Sequence, residues 1–393
     1  MLMAGSVISK YWGVYLNDFM RLMGWNANTN LTFGSFHIDI APIIIVAFFT
    51  TLLVFGTKIG ARVDGAMTVL KIAIVFFVVI VGFFYVKASN FTPFIPPSQP
   101  ASTVEGSSAV TGVMTQPLWQ FATGMTPSVY GVPGILSGAA LVFFAFIGFD
   151  VVATASEETK NPHKNVPLGI GVGMLLIIVM YMLVAVVTTG MVSYADLAKQ
   201  DSPSLATAFE LVGADWAAKI ISFGIVLGLA TVVMVLLLGL TRIVFAMSRD
   251  GLLPRGLSKT GKHGTPAALQ IVVGAVVALV AAFFDIGVLS DMVNIGTLSA
   301  FTLVAISIPI MRKKRPDLPR AFKMPGSPWI PILIAVANFW LMLNLSVLTW
   351  IRFVVWLVVG FAIYFGYGYW HARLGKGDLT ETLSAETDKA VNG

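Results

Sequence analysis

The chain has 393 residues, of which 57% are hydrophobic and 11% are charged. Soluble domains carry about 25% charged residues, so this composition excludes a soluble protein of the same length. The chain has no cysteine, four scattered histidines and a net charge of +6, which exclude disulfides and thiolate catalysis and argue against a histidine metal site.

Long apolar runs follow one another along the chain. A helix needs about 20 apolar residues to cross the hydrocarbon core of a bilayer. Membrane-barrel strands would be about ten residues long and strictly alternating, which is not the pattern of these runs. We therefore predict nine membrane helices, at Asp39–Phe55, Ala66–Val86, Gly134–Ala153, Leu168–Val192, Trp216–Met247, Pro266–Phe284, Met292–Met311, Trp329–Leu348 and Phe353–Tyr369.

The first segment, Met1–Gly24, is more polar than these runs. It is amphipathic, it contains Lys10, Asp18 and Arg21, and it has no charged n-region followed by a cleavage site. A signal peptide is therefore not expected. We interpret this segment as the outer part of a helix whose beginning is missing.

The basic residues define the orientation. When the loops are numbered alternately with the C-terminus inside, most of the 25 lysines and arginines fall on the inner side. The outer side holds Arg21, Lys87, Lys199, Lys219 and Arg352. The positive-inside rule then places the basic loop 312–328 and the tail 370–393 in the cytoplasm and the loop 87–133 outside the cell. The net charge therefore indicates topology, and no nucleic-acid partner is expected.

Lys71 lies about one and a half turns into a predicted membrane helix. A charged ammonium at this depth costs several kcal/mol unless it is paired, reaches the interface or loses its proton. Burial disfavours the charged form, which would suit a proton carrier. The structural alternative, a lysine whose ammonium extends to the inner interface, is equally compatible with the sequence.

Gly148 and Asp150 interrupt the apolar run 134–153. Transporters use broken membrane helices to present free backbone groups to amphipathic substrates. A packing glycine and a capping aspartate in an unbroken helix are the alternative. Thr231, in the middle of a later helix, has either a ligand-binding hydroxyl or one that bonds its own helix. The sequence has no P-loop, HExxH or GxSxG motif, so an enzyme is not expected.

Several short motifs occur together in one order along the chain. They are Phe143–Asp150, Glu157-Glu158 with Asn161-Pro162, Pro167–Ile170, Ser248–Pro254, Asn294–Leu298 and Arg315–Leu318 with Arg320–Phe322. With these motifs the chain resembles the amino acid–polyamine–organocation superfamily, and within it the bacterial relatives of the cationic amino acid transporters.

The resemblance implies an all-α integral membrane bundle of twelve helices, the first ten of which form two inverted repeats of five. The implied organisation is a remnant of the third helix at 1–24, helices four and five at 25–86, the extracellular loop 87–133, helices six to ten at 134–311, the cytoplasmic loop 312–328, helices eleven and twelve at 329–369 and the tail 370–393. We therefore expect the first two helices and part of the third to be absent.

The resemblance also implies the site. The sixth helix is broken in the family, and the implied substrate-binding residues are Phe144, Ala145, Phe146, Ile147, Gly148 and Asp150. Phe144 falls at the position of an aromatic gate. Lys71 falls where proton-coupled members carry a lysine in the fifth helix, and Thr231 falls near the same place.

We therefore expect a secondary active amino acid transporter of the cell membrane, coupled to protons, with no cofactor and no metal. Its partners would be an amino acid and the lipid bilayer, and the sequence leaves the oligomeric state and the individual substrate open. The alternative is a non-transporting membrane sensor, partner protein or decayed fragment derived from such a carrier. The expected absence of the first helices favours this alternative.

Overall fold

The computed structural model describes residues 1–25, 29–33, 36–55, 60–103, 112–148, 159, 161–200, 203–259, 266–316, 324 and 326–372. Most of these residues are helical. The α-helices are α1 Leu2–Leu22, α2 Ile40–Phe55, α3 Gly60–Phe83, α4 Leu118–Thr123, α5 Gly131–Val142, α6 Pro162–Met191, α7 Tyr194–Ala198, α8 Leu205–Leu211, α9 Asp215–Arg249, α10 Ala267–Phe283, α11 Ile286–Lys314, α12 Trp329–Leu343, α13 Val347–Ile363 and α14 Tyr369–His371.

Two short antiparallel ladders interrupt the helical pattern. They pair β1 Asn30–Phe33 with β2 Phe36–Asp39 and β3 Gln99–Pro100 with β4 Ser128–Val129. The predicted helical fold class is confirmed, and these ladders are confined to the connections that lead into α2 and α5.

The apolar helices account for all nine predicted spans. Within the described residues, five helical stretches are long and apolar enough to cross a membrane: Gly65–Phe83, Lys164–Met191, Asp215–Arg249, Ile286–Lys314 and Val347–His371. Four shorter apolar stretches are Ile40–Phe55, Gly131–Phe146, Ala267–Phe283 and Trp329–Leu343. Each predicted span overlaps one of these nine.

The boundary between the last two long helices differs from the prediction. α12 ends at Leu343 and α13 begins at Val347. The sequence instead predicted that the last helix begins at Phe353. The cause is Ser346, whose hydroxyl accepts the backbone N–H of Thr349 (3.2 Å) and so caps the first turn of α13. Arg352, which we had assigned to an outer loop, therefore lies within α13.

The four helices α1, α2, α9 and α10 form the main core. A buried cluster joins Ile45, Val46, Phe49 and Leu53 of α2 to Val233, Met234 and Leu237 of α9 and to Leu269, Val273 and Val277 of α10. In the most apolar stretch of α9, 56% of the residues are buried, compared with 11% in α3 and in α6. Small residues let α1 and α2 pack closely together: a Cβ at Gly13 of α1 would lie only 2.8 Å from the Cβ of Ala41 in α2.

A shielded ion pair joins three elements of this core. The ammonium of Lys10 in α1 lies 3.7 Å from a carboxylate oxygen of Asp39, with side-chain exposures of 11% and 17%. The same ammonium donates to the carbonyl of Ala281 in the last turn of α10 (2.9 Å). Burial raises the pKa of Asp39, at the end of β2, although the charge of Lys10 opposes this effect.

The connection that leads into α5 is attached to the turn between α12 and α13. Leu118 donates its backbone N–H to the carbonyl of Leu345 (2.9 Å), and Val347 donates to the carbonyl of Gln116 (3.1 Å). These backbone hydrogen bonds restrain the loop at the same place where α13 begins.

Candidate functional site

α5 stops inside an apolar stretch. It is α-helical over Gly131–Val142 and narrows to a 3-10 turn over Phe143–Phe146. Ile147 then adopts an extended conformation, with φ −72° and ψ 137°, and Gly148 has a φ of +130°. Glycine adopts this φ without the steric penalty of a Cβ atom, so Gly148 lets the backbone leave the helical path. The described backbone therefore leaves the helical path at Ile147 and Gly148, inside the predicted span 134–153, and we call this departure the interruption of α5. The second half of a broken helix would fall in residues 149–158, which lie outside the described residues.

Two side chains from other helices donate hydrogen bonds to carbonyls near this interruption. The hydroxyl of Tyr181 in α6 donates to the carbonyl of Ala145 (2.9 Å). The side-chain amide of Asn294 in α11 donates to the carbonyl of Leu141 (3.3 Å). The Tyr181 ring also contacts the ring of Phe146, with centroids 5.2 Å apart and planes at 65°. The end of α5 is therefore held by α6 and by α11.

A cavity of about 310 Å³ lies between the interruption and α6. Its lining consists of Ala145, Phe146, Ile147 and Gly148 on one side and Gly169, Ile170, Gly173, Met174, Ile177 and Tyr181 on the other. None of these described lining residues is charged. The volume falls at the small end of the range for ligand pockets, about 300–1,000 Å³.

The structure separates Phe144 from the other residues of the predicted substrate site. Ala145, Phe146, Ile147 and Gly148 line the cavity, whereas Phe144 is absent from its lining. Phe144 packs instead, as Ile147 also does, against a buried cluster of Ala4 and Val7 of α1, Leu236 of α9 and Leu289 and Val293 of α11. Asp150 lies outside the described residues.

The two residues predicted for proton coupling meet on one turn of α9. The alkyl chain of Lys71 in α3 packs on Gly228, where a Cβ would lie 3.2 Å from Lys71 Cγ. Thr231 is 4% exposed, and its hydroxyl donates to the carbonyl of Gly228 (3.0 Å). The hydroxyl thus bonds its own helix, which was the structural alternative for this residue.

α9 connects the two parts of the site. Lys71 does not line the cavity beside α5. Val232 of α9, however, is next in the chain to Thr231, and it packs against the same cluster as Phe144 and Ile147. A displacement of α9 would therefore change the packing of Lys71 and also the packing of the residues at the interruption of α5.

No sequence pattern marks Tyr181, and Asn294 belongs only to the motif Asn294–Leu298. Both are polar side chains inside apolar helices, where a hydroxyl or an amide needs a hydrogen-bond partner. That rule shows that each must have a partner, but it does not identify which helix supplies it.

The chain is similar to known proteins along almost its whole length. The sequence profile of the family described as amino acid permease matches residues 3–368. The branched-chain amino acid permease BcaP of Bacillus subtilis (strain 168) is 39% identical over 383 residues, which cover 95% of this chain and 75% of that protein.

Two further relatives carry different names. The methylthioribose transporter of Bacillus subtilis (strain 168) is 38% identical over 334 residues, covering 85% of this chain and 65% of that protein. The vacuolar cationic amino acid transporter 4 of Arabidopsis thaliana is 34% identical over 281 residues, covering 71% of this chain and 42% of that protein. The chain thus spans less than two thirds of these two relatives.

Proposed function

This chain belongs to the amino acid permease family, and from that membership we propose that it is a secondary active amino acid carrier of the cell membrane. The observation that supports this proposal most directly is the interruption of α5 within an apolar stretch, beside a cavity that Ala145, Phe146, Ile147 and Gly148 line. Free backbone groups at a broken helix can bind the ammonium and the carboxylate of an amino acid. In our proposal the carrier alternates access around this interruption.

We propose neutral amino acids with apolar side chains as the substrates. Two observations support this choice. The cavity is lined by Phe146, Ile147, Ile170, Met174 and Ile177, and no charged group among its described lining residues would neutralise a cationic side chain. The relative that covers this chain most completely of those described above is named a branched-chain amino acid permease. Leucine is therefore the first substrate to test.

Coupling to protons is the second part of the proposal. Lys71 lies within a candidate membrane span, and its alkyl chain packs on α9 at Gly228. We propose that the ammonium of Lys71 releases its proton to water on one side of the membrane and regains one on the other. The change in charge inside the apolar bundle would alter how α3 packs on α9. Through α9 the change would reach the cluster that contains Phe144 and Ile147.

The orientation follows from the charges in the loops. The run Arg312, Lys313, Lys314 and Arg315 closes α11, and a basic loop favours the cytoplasmic side. We propose that this end of α11 and the C-terminus are cytoplasmic, which places the anchored loop before α5 outside the cell. Cysteine labelling at single positions of this cysteine-free chain would test the orientation.

The proposal is tested with the purified chain in liposomes. We expect saturable uptake of labelled leucine that an inward proton gradient increases, and competition by isoleucine and valine more than by arginine. Binding of leucine without uptake would instead favour the non-transporting sensor. Absence of both binding and uptake for all amino acids would contradict the proposed function. Leucine-dependent protection against thermal unfolding measures binding independently of transport.

A further inference from the structure

We propose that Tyr181 is a positioning residue of the amino acid site, which holds the Ala145 carbonyl in the direction that receives the substrate ammonium, and that Asn294 is its second anchor. This inference rests on the proposed function. Its basis is that both side chains donate to carbonyls at the interrupted end of α5, at 2.9 Å and 3.3 Å.

The hydroxyl of Tyr181 leaves the Ala145 carbonyl able to bind a second donor. A carbonyl oxygen has two lone pairs and accepts two hydrogen bonds. One bond from α6 therefore fixes the direction of the carbonyl, and the other lone pair stays available to an ammonium. Because an unsatisfied carbonyl in an apolar environment costs several kcal/mol, this bond also stabilises the interruption in the absence of substrate.

Tyr181 is placed to act on the cavity itself. Tyr181 and Ala145 both line the cavity, so the hydrogen bond between them forms part of its wall. The contact of the Tyr181 ring with Phe146 keeps the phenol at this position. The residue therefore joins the two sides of the cavity, the interruption and α6, at one point.

Asn294 supplies the second anchor, because it binds the carbonyl of Leu141, four residues before Ala145 in the chain. It is 0% exposed, and the bond from its amide N–H to Leu141 fixes the orientation of the side chain. Its carbonyl oxygen has no hydrogen-bond partner among the described residues. A buried acceptor without a donor is destabilising, so a water molecule is the partner expected for this oxygen.

The test replaces Tyr181 with phenylalanine, which removes the hydroxyl and keeps the ring. Tyr194→Phe is the matched control, because Tyr194 is also 40% exposed and its ring also lies 5.2 Å from an aromatic neighbour. That neighbour is Tyr130, at the opposite end of α5 from the interruption, and neither tyrosine lines the cavity. Uptake of leucine into liposomes is measured for each variant, per amount of folded carrier.

We expect Tyr181→Phe to raise the KM for leucine roughly 2- to 10-fold, the factor that corresponds to one neutral hydrogen bond, with little change in the maximal rate. Asn294→Leu should also raise the KM for leucine. Tyr194→Phe should leave KM unchanged. A purely structural role would reduce the yield or the Tm without changing KM.

Three results would overturn the inference: an unchanged KM in Tyr181→Phe, an equal change in Tyr194→Phe, or a loss of folded protein with KM preserved. Each requires that the unaltered chain takes up leucine. If the unaltered chain neither binds nor transports any amino acid, the proposed function fails instead, and the two failures are therefore distinguishable.

Discussion

At the residue scale, Lys71 carries the proposed proton coupling. We expect Lys71→Ala to abolish uptake driven by a pH gradient, because no group at this position would then bind and release a proton. Exchange of internal for external leucine, which needs no net proton movement, should partly survive. Both rates are measured in liposomes with and without the gradient.

A control separates the position of Lys71 from the loss of any positive charge. Lys199, near the end of α7, has a side chain that is 68% exposed and pairs with Asp196 on the surface. Lys199→Ala should leave gradient-driven uptake unchanged. Unchanged gradient-driven uptake in Lys71→Ala would show that the coupling role is wrong.

The contact between Lys71 and Gly228 gives a second prediction at the same scale. Gly228→Ala would place a methyl group 3.2 Å from Lys71 Cγ, so the alkyl chain must move. We expect lower gradient-driven uptake than in the unaltered chain, by a smaller factor than in Lys71→Ala. Gly171→Ala in α6 is the control, since a Cβ there has no neighbour within 4 Å. Equal effects of the two substitutions would argue against a role for this contact.

At the element scale, the sequence predicted the helices well and their connections less well. Apolar runs of membrane length identify a helix without knowledge of its neighbours, which is why every predicted span overlaps a helical stretch. The start of α13 was missed although Ser346 is a local capping residue, because the apolar run alone does not mark where the helix begins. The turn before α13 is also hydrogen-bonded to the loop around Gln116. That pairing joins segments more than two hundred residues apart.

The interruption of α5 illustrates the same limit within the site. Gly148 in an apolar run suggested a break but did not exclude a packing role. The positions of Tyr181 and Asn294 depend on contacts 36 and 153 residues away along the chain, which no local pattern encodes. Phe144 packs against a buried cluster and is absent from the lining of the cavity. Its role as a gate, which the resemblance implied, stays a prediction.

Gly148→Ala tests whether the interruption itself matters. A Cβ at Gly148 has no neighbour within 4 Å, so the substitution acts through the φ of +130°. Such a conformation costs a residue other than glycine about 1–3 kcal/mol. We expect leucine uptake to fall about tenfold or more, in line with that energy.

Gly138→Ala is the matched control for this substitution. Gly138 lies in the same helix, and a Cβ there also has no neighbour within 4 Å, but its φ is not positive. It should leave uptake unchanged. If Gly148→Ala behaved in the same way, the interrupted backbone would have no role in transport.

At the scale of the whole molecule, a well-packed group of four helices contrasts with less buried helices such as α3, α6 and α13. α1, α2, α9 and α10 share the main core and the ion pair between Lys10 and Asp39. The proposed site lies where α5 and the less buried α6 meet. This arrangement would let the site helices move against a stable group.

Lys10→Met tests the stability of that group and has a defined pH dependence. Burial already raises the pKa of Asp39, and loss of the Lys10 charge would raise it further. The ionised carboxylate would then be buried without its partner, so we expect a loss of up to about 3 kcal/mol at pH 8. The loss should shrink as the pH falls and Asp39 becomes protonated. Thermal unfolding in detergent at pH 5 and pH 8 measures this difference, and an equal loss at both values would contradict the assignment.

The most direct test of the account is proton movement that depends on amino acid. The chain is placed in liposomes that contain a pH-sensitive dye, and leucine is added outside. We predict acidification of the interior that requires leucine, saturates with it and is absent in Lys71→Ala. Leucine uptake without any acidification would contradict proton coupling, and the carrier would then work as a uniporter or an exchanger.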